Sequence, residues 1–314
     1  MIIIYNIINN IINNIINNID SFIAMDPEKT FILVDTSYWI FYRYYAIIQW
    51  WNHAKQDNPL GANPYENEEF LEKFVKTFTE SIIKIKKILY KKQTTKQTTK
   101  QSKKPKVECT IIAARDCHRK DIWRNSLYSE YKETRDKDDS FMGGPFFNHA
   151  YQEDHKLIYS AGVNHVIQFP TFEADDVIAL TKNFIRNKYP EAKIFIIAND
   201  HDYLQLLDDN TEIVNFQNKF LKESKSVFTE PKKNLFYKIV LGDKSDNIKP
   251  IFKKCGPKTC EKYYENEELF LQALKKEDVQ NKYELNKKLV SFLEIPQDLA
   301  TNFIKENSEL LNNL

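Results

Sequence analysis

The sequence predicts an α/β fold, with a mostly parallel central sheet flanked by helices and a C-terminal helical subdomain. Three observations predict it. Short apolar runs recur, FILV at 31–34, CTIIAA at 109–114, VNHVIQF at 163–169 and KIFIIA at 193–198; runs without polar alternation suit strands buried on both faces. Helical stretches separate them at 68–90 and 172–189, the second carrying Val177, Leu180, Thr181, Phe184 and Ile185 as a stripe at helical spacing. Beyond Pro231 the pattern stays helical to the closing EIPQDLATNFIKENSELL. An order β, α, β, α, β, α, β places helices on both faces of a parallel sheet.

The remaining segments set the boundaries. Residues 1–24 begin with isoleucine and asparagine alternating at a period near four; the asparagines interrupt any bilayer-long span, and no secretory cleavage site follows. A disordered low-complexity extension is expected there, then an α/β domain over 25–230 and a helical subdomain over 231–314. KKQTTKQTTKQSKKPK, 91–106, is too polar to supply a core and reads as a disordered loop. Residues 81–107 hold ten lysines and no acid, which suits either nucleic-acid contact or a solvated loop. A formal net charge of +1 excludes an indiscriminate nucleic-acid coat, so any DNA-binding charge is local. Cys109, Cys117, Cys255 and Cys260 form no CxxC pair or zinc-finger spacing, which points to thiols in a reducing compartment. An intracellular monomer without a membrane segment is expected, its compartment open between nucleus, cytoplasm and a viral replication site.

The informative residues are acids placed after buried strands, because the carboxyl ends of strands in an open parallel sheet border the ligand crevice. Asp35 follows FILV and Asp116 follows CTIIAA. Asp200 and Asp202 follow KIFIIA, Glu173, Asp175 and Asp176 open the helix after Pro170, and Asp243 and Asp246 sit in LGDKSDNI. One acid after a strand is commonly a helix cap, and three at a helix start can answer its dipole. Capping gives no reason for four such ends to carry acids together. Crowded carboxylates repel unless cations neutralise them, and donors without histidine or thiolate suit two Mg²⁺ (or Mn²⁺) ions. Such a pair activates water and stabilises the leaving oxygen of a phosphodiester.

These segments resemble the flap endonuclease and 5′ to 3′ exonuclease family, including the bacteriophage and bacterial polymerase I-type domains of PIN-like fold. VDTSYWIFYRYYA at 34–46 is similar to its opening strand and helix, FEADDVIA at 172–179 to its EADD helix start, ANDHDYLQLL at 198–207 to its DxD segment and GDKSDNI at 242–248 to its GDxSDNI motif. The resemblance covers about residues 31–265. It implies metal ligands at the nine acids and a phosphate clamp from RNSLYSEYKETR, in which Lys132 with Arg124 or Arg135 steadies the scissile phosphate and Tyr131 contacts DNA. On a helix these residues would share one face, and the other reading is a solvated amphipathic helix. Aromatics near the first motif, Tyr38, Tyr42 and Tyr45, are candidates for base stacking and equally for the core.

The chain departs from the family pattern in three places, the first a spacing from Asp116 to Arg124 that is one residue longer than in the bacterial members. The arch region, 136–162, is short, and the duplex-binding hairpin after SDNI reads KPIFKKCGPKT, keeping only Gly256, Lys258 and Thr259 and adding Lys253 and Lys254. Loss of two glycines weakens the case for the hairpin's monovalent cation, while the added lysines supply salt-sensitive charge. The resemblance implies a 5′ to 3′ exonuclease, a structure-specific flap endonuclease or both, acting in replication or repair on DNA with 5′ flaps, nicks or free 5′ ends. Two alternatives stay open, an exoribonuclease of related fold and a non-catalytic binder of branched DNA.

Overall fold

The computed structural model describes residues 29–95, 109–134, 141–224 and 227–314. Five strands, β1 (Thr30–Asp35), β2 (Cys109–Ala114), β3 (His165–Ile167), β4 (Lys193–Ile197) and β5 (Thr211–Val214), form one sheet in the order β3-β2-β1-β4-β5. Every pairing is parallel. The α/β, mostly parallel expectation therefore holds. The strand VNHVIQF narrows to three residues, and β5 is an addition. The chain winds outward through β2 and β3, then returns to lay β4 against β1, so the order reverses between β1 and β4. That switch point opens a crevice at the carboxyl ends of the strands.

Strand alternation divides the core. Phe31 and Leu33 of β1 point to one face with Ile112, Ile194 and Ile196, and Ile32 and Val34 to the other with Ile111, Phe195 and Ile197. The first face is covered by α4 (Ala174–Lys188) and by Phe303 of α9 (Gln297–Glu306) and Leu311 of α10 (Ser308–Asn312). The second is covered by α1 (Thr36–Ala54), α2 (Glu68–Thr95) and α3 (Gly144–Ser160). A third cluster joins α5 (Pro231–Leu241), α6 (Pro257–Glu265), α7 (Glu267–Lys276) and α8 (Gln280–Val290), and it also contains Ile122 and Tyr131. Those two residues tie the helical part to the rim of the sheet.

Two local readings are corrected. No α-helix spans 124–134: Trp123–Ser126 is a short 3₁₀ helix followed by turns, and Lys132 stands at φ 57°. The cause is tertiary, because Arg124 and Tyr131 are both drawn inward to buried carboxylates, and a continuous helix would leave those acids unpaired. Helix α2 continues through Thr95, into the segment read as a loop, since lysine and glutamine favour helix. Residues 1–24, 96–106 and Arg135 lie outside the described residues.

Candidate metal centre

Each acid is positioned by a strand end, by the start of a helix or, for Asp243 and Asp246, by the loop after α5. Asp35 closes β1 and caps α1, accepting from the Tyr38 backbone N–H at 2.8 Å, while its other oxygen accepts from the Tyr203 hydroxyl at 2.9 Å. The cap reading and the site reading are thus both satisfied by one side chain. Asp116 accepts from the Ala174 backbone N–H at 2.7 Å and from the Ser37 hydroxyl. Asp200 caps the 3₁₀ helix His201–Leu206 through the Asp202 N–H at 3.0 Å. Asp243 and Asp246 belong to a loop closed by two backbone hydrogen bonds between Asp243 and Ile248, at 2.8 and 2.7 Å. Gly242 starts that loop at φ 73°, and a Cβ there would lie 2.4 Å from the Ile248 carbonyl oxygen; only glycine fits.

Ligand oxygens of Glu173, Asp175 and Asp176 lie within 4.8 Å of one another, and so do those of Asp202, Asp243 and Asp246. The protein's own cations enter both groups. Arg124, 1% exposed, forms a fork on Asp176 with two bonds of 2.7 Å, reaches Glu173 at 3.3 Å and donates its Nε to the Leu289 carbonyl at 2.8 Å. Trp123 Nε1 adds a bond to Asp176 at 2.9 Å. Asp176 also accepts from the Glu173 backbone N–H, completing a capping box. Lys132 pairs with Glu173 and lies 3.8 Å from Asp246, and its backbone N–H donates to the Asp246 carbonyl. Tyr131, buried, donates to Glu173 at 3.0 Å and to Asp246 at 3.4 Å. Lys238, on α5, pairs with Asp202 and lies 2.7 Å from Asp243.

Asp35, Asp116, Asp175 and Asp200 form no ion pair with any described residue. Burial raises Asp35 to about 7, and Asp116 and Asp200 push it the same way. Burial also raises Asp116. Asp175 is held well above the ordinary carboxylate range by burial and by Asp176 and Glu173. The paired acids differ. Burial of Glu173 is outweighed by Lys132 and Arg124, and its carboxyl falls below the ordinary range. Asp243, where Lys238 and Ser245 outweigh burial, falls to about 2. Asp202 rises to about 7, because burial with Asp200 and Asp246 exceeds the relief from Lys238.

This contrast predicts an unusual pH dependence of stability. An acid whose folded-state pKa is raised binds its proton more tightly in the native state, so its contribution is present below pH 4 and is lost as pH climbs through about 7. Glu173 and Asp243 act oppositely, below about pH 4. Denaturant unfolding of the protein in chelator is expected to show greatest stability near pH 4 and a loss of roughly 1–3 kcal/mol by pH 8. A flat profile from 5 to 8 would remove the electrostatic reading of Asp35 and Asp202.

The structure brings the nine sequence-predicted acids to one rim, yet divides them into cation-paired and unpaired sets. Lys132 and Tyr131 stand inside the centre, and Arg124 beneath it. Lys253, Lys254 and Gly256 are exposed at the turn before α6, and Lys258, exposed, and Thr259, half-buried, stand in the first turn of α6, all outside the centre. A Cβ on Gly256 would meet nothing within 4 Å, so the fold itself does not require glycine there. Tyr38 and Tyr42 pack on Phe216, at centroid distances of 5.4 and 5.3 Å, while Tyr45 is 44% exposed. Sequence reasoning missed Lys238. It precedes Gly242 by four residues, one helical turn before the Asp243 loop, a spacing that does not by itself single it out among the lysines of the helical part.

Comparison with known proteins gives one answer. The family profile described as 5′-3′ exonuclease, N-terminal resolvase-like domain, matches residues 30–234. The 5′-3′ exonuclease of Aquifex aeolicus is 32% identical over 184 residues, 52% of this chain and 60% of that protein. DNA polymerase I of Caldicellulosiruptor bescii is 32% identical over 180 residues, again 52% of this chain but 20% of the polymerase. The chain thus spans well under the full length of these relatives. A crystal structure of the bacteriophage T5 flap endonuclease with DNA and metal ions shares the fold, with TM-score 0.55 and 15% identity over 90% of this chain and 100% of that one. No described helix is long and apolar enough to cross a membrane. With the profile covering more than half of its length and the acids of all its motifs gathered at one sheet edge, the chain belongs to the 5′-3′ exonuclease family.

Proposed function

We propose that the protein is a divalent-metal-dependent 5′ to 3′ exonuclease and flap endonuclease that hydrolyses DNA phosphodiesters during replication or repair. The observation that carries this reading is the set of four acids, Asp35, Asp116, Asp175 and Asp200, none of which forms an ion pair with a described residue. Buried oxygen donors gathered without histidine or thiolate among them fit hard ions such as Mg²⁺ or Mn²⁺. Asp35, Asp116, Glu173 and Asp175 would hold one ion and Asp200, Asp202, Asp243 and Asp246 a second, several of them through water. The ions would supply an activated water and charge for the leaving oxygen. Asp176 acts by anchoring Arg124.

The remaining residues bind and orient. Lys132 spans the two acid groups, which places its charge where a scissile phosphate would bridge them. Arg124 and Tyr131, buried on the far side of the carboxylates, position those acids rather than touch phosphate. Lys253, Lys254 and Lys258 present charge, and Gly256 and the Thr259 region exposed backbone, to the duplex behind the cut. Arg135, in the matching spacing, is the remaining candidate for the phosphate. The helical part binding duplex favours DNA over the exoribonuclease reading.

The test is cleavage, with Mg²⁺ or Mn²⁺, of a 5′-labelled flap, a nicked duplex with a free 5′ end, and an RNA of the same sequence. Release of the whole flap identifies the endonuclease, and mononucleotides from the free end identify the exonuclease. Preference for the RNA would move the protein to exoribonuclease. Tight flap binding with no product on any substrate would make it a branched-DNA binder.

A further inference from the structure

The two acid groups are not equally open. In the first, Lys132 and Arg124 engage Glu173 and Asp176, and Asp175 forms no ion pair with any described residue. In the second, the Lys238 ammonium lies between Asp202 and Asp243, two of the three acids whose ligand oxygens gather within 4.8 Å. An ammonium and a hydrated divalent ion seek the same carboxylate oxygens, and both cannot occupy them. We infer that Lys238 is a built-in cation that occupies the second metal position, so that one ion binds readily and the second binds only as Lys238 leaves. The inference rests on the proposed metal-dependent reading.

Lys238 has somewhere to go. It lines a cleft of about 670 Å³ whose wall also includes Asp35, Asp200, Asp243, Tyr38 and Tyr237. A lysine carries its charge on a flexible four-carbon stem, and a swing about its side-chain torsions carries the ammonium from the carboxylates into this space. There it would meet whatever anion the cleft receives, and the phosphate backbone of a substrate is the anion the proposed reaction supplies. One side chain thus serves as metal substitute without substrate and as phosphate ligand with it. Substrate would favour the second ion, and the second ion would favour substrate, since coupling between two sites is reciprocal.

Lys132 contrasts with it. Its pair with Glu173 is 11% exposed on the lysine side and is braced by Tyr131, and its backbone is bonded to Asp246. Lys238 holds its two acids through the ammonium alone, from a different helix. The competing reading is a fixed strut, in which Lys238 joins α5 to the 3₁₀ helix 201–206 and stays when metal arrives.

Mn²⁺ titration of the whole protein without DNA separates the two, with bound ion counted by loss of the free Mn²⁺ signal. The native protein is expected to bind one Mn²⁺ and a second about tenfold or more weaker, as one unit charge a few ångströms away implies. Lys238→Met is expected to tighten the second site about tenfold and Lys238→Arg to leave it weak, with the first site unchanged in both. Asp175→Asn tests the underlying reading separately, since it should weaken the first ion. If the native protein binds no Mn²⁺, or Asp175→Asn changes nothing, the metal-dependent reading fails. If the first site behaves and Lys238→Met leaves the second unchanged or weaker, Lys238 is a strut. Reductive methylation of the native protein checks this without a variant. Lys238 should be protected in chelator and become labelled at Mn²⁺ concentrations that fill the second site; constant protection overturns the inference.

Discussion

Asp175→Asn is expected to lower cleavage by about a thousandfold or more while leaving the protein as stable as before or slightly more so, because it removes a proposed metal ligand that the fold itself does not need. Asp175 has no cationic partner among the described residues, and burial with Asp176 and Glu173 lifts its pKa well above the ordinary range. An amide of the same shape keeps the oxygen that accepts from the Asp176 backbone N–H at 2.7 Å, yet brings no charge. Removing one carboxylate from this cluster should therefore raise metal-free stability at pH 8 by about 1 kcal/mol. The informative result is the opposite movement of two readouts, activity down and melting temperature level or up. A variant that loses both would mean that Asp175 is structural, and one that keeps activity would remove it from the centre.

The fold was legible because the strands that matter most are buried on both faces. FILV, CTIIAA and KIFIIA stand adjacent in the sheet as β1, β2 and β4 and needed no partner to be read. β5 escaped because it is an edge strand of four residues, Thr211–Val214, that includes a charged, half-buried Glu212 and directly follows a turn. The acids were legible for the same topological reason, since each stands where a buried strand or the following helix must end. Their partition into paired and unpaired sets was not, because Lys238 comes from 36 residues beyond Asp202 and no spacing rule ranks one lysine among the many of the helical part. The local sequence of 124–134 reads as helix, but two of its side chains satisfy buried acids across the fold, and that long-range demand outweighs intrinsic propensity.

A centre of this kind stores repulsion until metal arrives, so the surrounding structure must hold the acids against it. Most of that restraint is local to backbone. Asp116, Asp35, Asp200 and Asp243 each accept at least one backbone N–H, at distances from 2.7 to 3.0 Å. Such bonds fix a carboxylate without neutralising it, which leaves charge available to an ion. Asp176 instead is fully buried and forked by an arginine, and Glu173 and Asp243 carry lysine partners as well. Asp35, Asp116 and Asp200 are thus held by dipoles, and Asp176, which supports the group from beneath, is held by a charge.

Arg124→Leu is accordingly expected to be the most destabilising single change in the centre, at about 3–5 kcal/mol, because it leaves the Asp176 carboxylate buried without its partner. For a protein whose whole stability is of the order of 5–15 kcal/mol, that loss approaches unfolding. Lysine should not rescue it. The guanidinium makes two bonds to Asp176, a third to Glu173 and a fourth from Nε to the Leu289 carbonyl of α8, and one ammonium cannot reach all four in a plane. The double variant Arg124→Leu with Asp176→Leu should recover much of the loss, since two apolar side chains can replace a buried pair once neither charge is stranded. Denaturant unfolding of the native protein, both single variants and the double variant closes the cycle. A coupling energy of several kcal/mol fits an anchor beneath the acids, whereas a loss below about 1 kcal/mol for Arg124→Leu would show the guanidinium to be dispensable to the fold and would return it to the candidates for phosphate contact.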